Sequence, residues 1–190
     1  MHFSTHIRLT ILLGLCLFLS VGKAQAQQVA VKTNLLSLAA MTPDLGLELV
    51  TGEHTSVAIS AFGHIRPYGM TSRLAVIQPE FRYWFNGRPL TREYIGVAAF
   101  GAAYDMTVAG HVYAGNAIAA GVSGGYVFNL SRRWGLDISA GTGILVFRQK
   151  LYREGDRYDE YFQGETTLTN STGYKIFPVK AAVTFIYIIK

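Results

Sequence analysis

Along most of this chain apolar and polar side chains alternate with a period of two, the spacing that sends successive residues to opposite faces of a β-strand. The pattern is clearest in QPEFRYWF, where Pro79, Phe81, Tyr83 and Phe85 share one parity and Gln78, Glu80, Arg82 and Trp84 the other. Followed through the chain, the period predicts eight strands: Val29 to Leu38, Leu45 to Val50, Val57 to Ile65, Leu74 to Phe85, Tyr94 to Tyr104, Ala117 to Phe128, Trp134 to Phe147 and Tyr174 to Ile189. No sustained helical period competes with it. Turn-forming clusters separate the runs, among them TPD at Thr42 to Asp44, TGEH at Thr51 to His54, NGRP at Asn86 to Pro89 and NLSRR at Asn129 to Arg133. Alternate connections are then short (Thr51 to Thr55, Asn86 to Arg92, Asn129 to Arg133), while two on the opposite side are long, Asp105 to Asn116 and Arg148 to Gly173.

The content of the two faces decides which is wet. In the eighth run Phe177, Val179, Ala181, Val183, Phe185, Tyr187 and Ile189 form an apolar stripe opposite Lys180, Ala182 and Thr184. The polar parities elsewhere carry Lys32, Asn34, Glu48, Glu80, Arg82 and Asp137 among many glycines and alanines. Three cations and three anions on such narrow faces suit an interior charge network of Lys32, Glu48, Glu80, Arg82, Asp137 and Lys180, because a buried charge needs a partner. The apolar stripes then face lipid. The predicted fold is an all-β, eight-stranded antiparallel up-and-down transmembrane β-barrel, just wide enough for side chains to fill its interior and leave no wide pore. The same alternation fits a soluble lipocalin-like barrel with its apolar residues turned toward a ligand cavity. Against that, the polar parities of the fifth to seventh runs hold Gly, Ala and Ser, which suit a crowded interior better than a solvated exterior. Pro79 and Pro178 cannot donate to a ladder, and predict bulges or late strand starts near the upper rim.

Composition agrees with this picture. Of 190 residues 50% are hydrophobic and only 15% charged, with 11 Tyr and 11 Phe, as strand-rich and membrane-interface proteins favour. Residues 1–26 read as a secretory signal: His2, His6 and Arg8 precede an apolar run from Leu9 to Val21, followed by Lys23 and the cleavage pattern Ala24-Gln25-Ala26. The barrel would be residues 27–190. Cys16 lies inside the apolar run behind Leu15, so neither a lipoprotein site nor a mature thiol is expected. Loss of Arg8 and Lys23 with the signal takes the formal charge from +5 to +3, a mild excess without a Lys/Arg cluster of the kind nucleic acid requires.

The chemistry-bearing residues form no strong motif. Gly121 to Gly125 (GVSGG) and Ala140 to Ile144 (AGTGI) lack the Lys-Ser/Thr and the helix of a phosphate loop. His54, His64 and His111 are scattered without ligand spacing, so no metal or other cofactor is expected. An alternative is a lipid A-modifying enzyme with Ser60, His64 and Glu80 near the outer rim. The final loop interleaves charge with aromatics, and Tyr152, Arg153, Arg157, Tyr158, Tyr161 and Phe162 are its candidate recognition residues, since Tyr and Arg dominate interfaces.

The stretch KTNLLSLAAMTPDLGLELVTGEHTSVAISA (Lys32 to Ala61), with PEFRYWF, YIGVAAFGAAYD and FPVKAAVTFIY, resembles a Bacteroidota family of small exported proteins catalogued as a domain of unknown function. The resemblance covers nearly all of the chain after the signal. It implies an outer-membrane β-barrel and carries over no catalytic or binding residue; the terminal Lys190 departs from the usual aromatic ending. The expected role is a non-enzymatic, monomeric outer-membrane protein, with lipid as its surroundings and a surface protein or polysaccharide as partner of its outer loops.

Overall fold

The computed structural model describes residues 28–65, 67, 72–108, 111–153 and 170–189, and the expected signal, residues 1–26, lies outside them. Eight strands run in chain order around a closed barrel: β1 (Val29–Asn34), β2 (Asp44–Val50), β3 (Thr55–Ile65), β4 (Ser72–Trp84), β5 (Arg92–Val108), β6 (His111–Asn129), β7 (Trp134–Arg153) and β8 (Asn170–Ile188). Each pairs antiparallel with the next, and β1 closes on β8 from Ala30 opposite Ile188 to Asn34 opposite Thr184. Closure leaves no free edge to aggregate.

Local chemistry moves several strand ends. The first strand stops at Asn34 instead of Leu38, because the Asn34 side chain accepts the Leu36 N–H (3.1 Å) and caps one helical turn, α1 (Leu35–Ala39). The expected loop from Asp105 to Asn116 is mostly ladder: β5 and β6 stay paired up to Val108 opposite His111. Likewise Arg148 to Arg153 and Asn170 to Gly173 extend β7 and β8, which leaves 154–169 as the connection. The barrel wall is therefore tall on the β5–β8 side and low at β1 and β2.

The two prolines behave differently. Opposite β5 the ladder skips Gln78 and Pro79 and resumes without a register shift, so Pro79 needs no bulge and lies mid-strand, away from the rim. At Pro178 the register with β7 shifts between Gly141 and Gly143, from Lys180 to Phe177. This bulge reverses the side-chain parity. Phe177 and Val179, expected on the apolar outer stripe, turn into the barrel, where Val179 is buried beside Leu145 and Phe177 packs with Phe100. Tyr174 and Ile176 take the outer face and are 83% and 84% exposed.

The lower end, on the side of the short turns, is plugged. Leu90, from the turn between β4 and β5, folds back among Ala30, Trp84, Tyr94, Val127 and Ile186, all buried. Its backbone is left-handed (φ 65°), as is that of Gly87 in the same turn. That conformation costs a leucine roughly 1–2 kcal/mol, and complete burial of its side chain contributes about 1.5–3 kcal/mol. Burial wins, and the turn holds a shape its own sequence would not choose.

Leu90→Ala removes the stopper and keeps the backbone cost. Urea unfolding in nonionic detergent is expected to show a loss of about 2–5 kcal/mol; a change under 0.5 kcal/mol would mean that the plug carries no stability.

Candidate functional site

Strand β4 places Glu80, Arg82 and Trp84 on the inward parity, two residues apart, so that one strand presents an acid, a base and an indole to the interior. Arg82 lies at the centre. Its Nε donates to Glu80 Oε2 (2.8 Å), and its Nη1 donates to Glu48 Oε2 (3.2 Å) and to Asp137 Oδ2 (3.1 Å). One guanidinium thus touches three carboxylates, using the planar fork that lysine lacks. Its carbon also lies 4.3 Å from the centre of the Tyr94 ring, whose hydroxyl donates to Asp137 at 3.1 Å.

The other two cations complete the charge balance. Lys32 pairs with Glu48 and lies 3.9 Å from Asp137, and Lys180 donates to Glu80 at 2.5 Å. Neutral donors take further carboxylate lone pairs: Ser56 Oγ donates to Glu48 (2.5 Å) and Ser123 Oγ to Glu80 (2.6 Å), while Trp84 Nε1 donates to Ser56 Oγ (2.8 Å). The register explains the convergence, since Glu48, Ala58 and Glu80 lie in one row across β2, β3 and β4, next to the row of Ser56 and Arg82. Gly96 of β5 leaves the space: a Cβ there would lie 2.9 Å from Ser123 Oγ and 2.7 Å from the Phe81 carbonyl oxygen.

All six residues expected in the charge network thus meet in the barrel, with Glu48 and Asp137 completely buried. Four further members, Ser56, Trp84, Tyr94 and Ser123, carry no charge to draw attention in a sequence. Trp84 alone had a signal in the sequence, following Arg82 by two on the same parity, whereas Ser56 meets Arg82 only through the register. Together the ten residues come from all eight strands. With the acids engaged by cations and hydroxyls, none is placed as a free general base.

The grouping of Ser60, His64 and Glu80 that the alternative enzyme reading would need does not form. His64 holds Thr42 Oγ1 through Nδ1 (2.9 Å) and Ser72 Oγ through Nε2 (3.0 Å), while Glu80 is engaged by Arg82, Lys180 and Ser123. The imidazole ties the connection before β2 to the upper ends of β3 and β4. Among the described residues no group of three or more His, Cys, Asp or Glu could hold a metal ion. Of the candidate recognition residues, Tyr152 and Arg153 end the β7 backbone, and Arg157, Tyr158, Tyr161 and Phe162 lie outside the described residues.

Above the network the interior is not filled, contrary to expectation. A cavity of about 610 Å³ extends from Lys32, Arg82 and Lys180 up to Met106, Tyr113 and Gln149. Some of the residues that line it are too small to fill it, Ser60 on β3, Ala102 on β5 and Ala117 on β6. The bulge at Pro178 closes one wall, where Gln78 Nε2 donates to the Val179 carbonyl (2.9 Å).

A family profile described as "Protein of unknown function (DUF3575)" matches residues 10–189. No curated protein and no solved structure matches the chain.

Removing Arg82 would leave three carboxylates facing one another. Arg82→Ala is expected to destabilise the barrel by about 3–5 kcal/mol in urea titrations, with Arg82→Lys intermediate; an Arg82→Ala loss under 1 kcal/mol would refute the central role. His64→Ala removes two hydrogen bonds at the rim, and a loss of about 1–2 kcal/mol is expected by the same titration.

Proposed function

We propose that this chain, which belongs to the DUF3575 family, is an integral outer-membrane β-barrel that acts at the cell surface through its outer connections, without catalysis of its own. The observation that carries this reading is an inside-out distribution of polarity. Charged groups occupy the interior, and the outer wall displays Leu47, Phe81, Val97, Ile118, Val122 and Ile144, each close to half exposed or more. An outer face of this extent in water would be an aggregation surface. In hydrocarbon it is at rest.

The dimensions support the same reading. On β7 the outward residues from Leu136 to Val146 bear no charge, between Trp134 below and Arg148 above. Ten residue steps of about 3.3 Å, tilted by about 40°, rise about 25 Å, the height of the apolar band in outer-membrane barrels. Around the lower margin of this band sits a girdle of packed rings, with Tyr126 against Phe128 (4.6 Å between centroids) and Trp134 against Tyr187 (4.5 Å) and Phe185 (5.0 Å). Such rings favour the membrane–water interface. At the upper margin α1 exposes Leu35, Leu36 and Leu38, an apolar turn suited to rest in the headgroup region.

The binding role assigned to the outer side rests on the scaffold. A rigid closed wall presents the connection between β7 and β8, which contains Arg157, Tyr158, Tyr161 and Phe162, and loops carried this way are where recognition is commonly placed. A surface protein or polysaccharide is the partner class proposed.

The protein is expected to stay with membranes through high-salt and alkaline washes and to change gel mobility on heating in detergent. Release into detergent-free buffer would overturn the reading. On intact cells, a cysteine replacing Tyr158 should react with an impermeant maleimide and one replacing Arg88 should not; the reverse labelling would invert the proposed orientation.

A further inference from the structure

The upper cavity is polarised, and its polarity names a ligand. Its floor is formed by Lys32, Arg82 and Lys180, while their partners Glu48, Glu80 and Asp137 do not line it. The members of the network that border the empty space are therefore its three cations, with none of its three carboxylates among the lining residues. Asp44, the only acid lining the cavity among the described residues, accepts the Asn34 backbone N–H at 3.1 Å. Lys180 gives one of its three donors to Glu80, so it has capacity for another acceptor.

The walls are more apolar, though Lys175 also lines the space, over the Phe147 and Phe177 rings. Phe62, Val76, Phe100, Leu145, Phe147 and Phe177 line the space above the floor. A volume of about 610 Å³ falls within the usual range of ligand pockets, about 300–1,000 Å³, which are mostly apolar with a few placed polar groups. Such a chamber in a barrel otherwise closed by packing is costly unless something occupies it, because apolar walls without partners forfeit their dispersion contacts.

We propose that this cavity binds a single-chain amphiphile head-down, its anionic head on Lys180, Lys32 and Arg82 and its hydrocarbon chain between the phenylalanines. The head is a carboxylate or a phosphate ester, as in a free fatty acid or a lysophospholipid-like monoester. A charge-assisted hydrogen bond from Lys180 fixes the head where water is scarce. This site lies inside the barrel, so it is independent of the surface role proposed above and of whether the outer wall meets lipid.

The test uses the full-length protein in a nonionic detergent, titrated calorimetrically with dodecanoate, dodecyl phosphate and dodecanol, with protein-free micelles subtracted. Saturable one-to-one binding of at least one anion, with dodecanol roughly tenfold weaker or more, is the expected result. The tighter of the two anions identifies the head group. Lys180→Met should weaken the anion by a similar factor while leaving dodecanol unchanged; Glu80 keeps Arg82 and Ser123 in that variant, so the network can survive it. If Lys180→Met fails to fold, Ala102→Trp decides: it fills the cavity from β5 without touching a charge, and should abolish saturable binding. Dodecanol affinity equal to that of both anions, no saturable binding of either anion, or undiminished binding by Ala102→Trp would each overturn the proposal.

Discussion

A guanidinium almost wholly withdrawn from solvent is the constraint around which this barrel is arranged. Arg82 is nearly inaccessible, and desolvating a charge costs several kcal/mol unless its partners are close and well aimed. Three carboxylates from β2, β4 and β7 meet it, and each needs further donors for its remaining lone pairs. Those donors come from β1, β3, β5, β6 and β8. The requirement to satisfy one cation thus reaches every strand and joins opposite walls, which backbone ladders alone do not do. It also sets the size of neighbouring residues: Gly96 and Ala98 on β5 are small where the network occupies the lumen.

The interior is stacked in three levels with different physics. Below, Trp84, Leu90, Val127 and Ile186 make a dry stopper, and Trp84 hands the level above a hydrogen bond through Ser56. In the middle the ion pairs screen one another. Above, small inward residues and the bulge at Pro178 leave a lined chamber instead of a packed core. That bulge has two effects at once: it relieves a proline that has no N–H for the ladder, and it turns Phe177 and Val179 from the outer stripe to the inner wall. The chamber owes Phe177 and Val179 to this change of parity, beside Phe62, Phe100 and Phe147 from other strands.

The distribution of polarity is the reverse of a soluble barrel's, and this relates fold to role. A carrier in water spends its apolar residues on the lumen and its charges on the surface. Here the lumen holds the charges at mid-height and the outer wall holds the hydrocarbon, with rings gathered at its lower margin. The chamber adds an apolar space that is separated from the outer wall by the sheet itself. The two proposals use the two sides of one alternating pattern: an outer wall read as facing a bilayer and an inner pocket read as holding one chain with a charged head.

Strand number, order and most inward positions were legible in the sequence because a period of two needs no knowledge of the partner strand; the alternation in QPEFRYWF already separates Glu80 and Arg82 from Phe81 and Tyr83. The six charged members of the network were legible for a related reason, since a charge among small residues on one face has few other uses. Their uncharged partners were not, because Ser56, Ser123 and Tyr94 gain meaning only from register, which pairs residues far apart in the chain. Nor was the parity reversal at Pro178, a matter of how β8 meets β7, or the cap that ends β1 at Asn34. The alternative Ser60, His64 and Glu80 grouping failed for the same cause: closeness along one strand pair did not reveal that Arg82 would claim Glu80 and that Thr42 and Ser72 would claim His64. By itself the sequence determined a closed, alternating, charge-centred barrel, because alternation and charge balance are local and additive. Only the tertiary structure decided that the lumen is half filled and where its cations point, because those depend on how eight walls of unequal height and residue size meet across one axis.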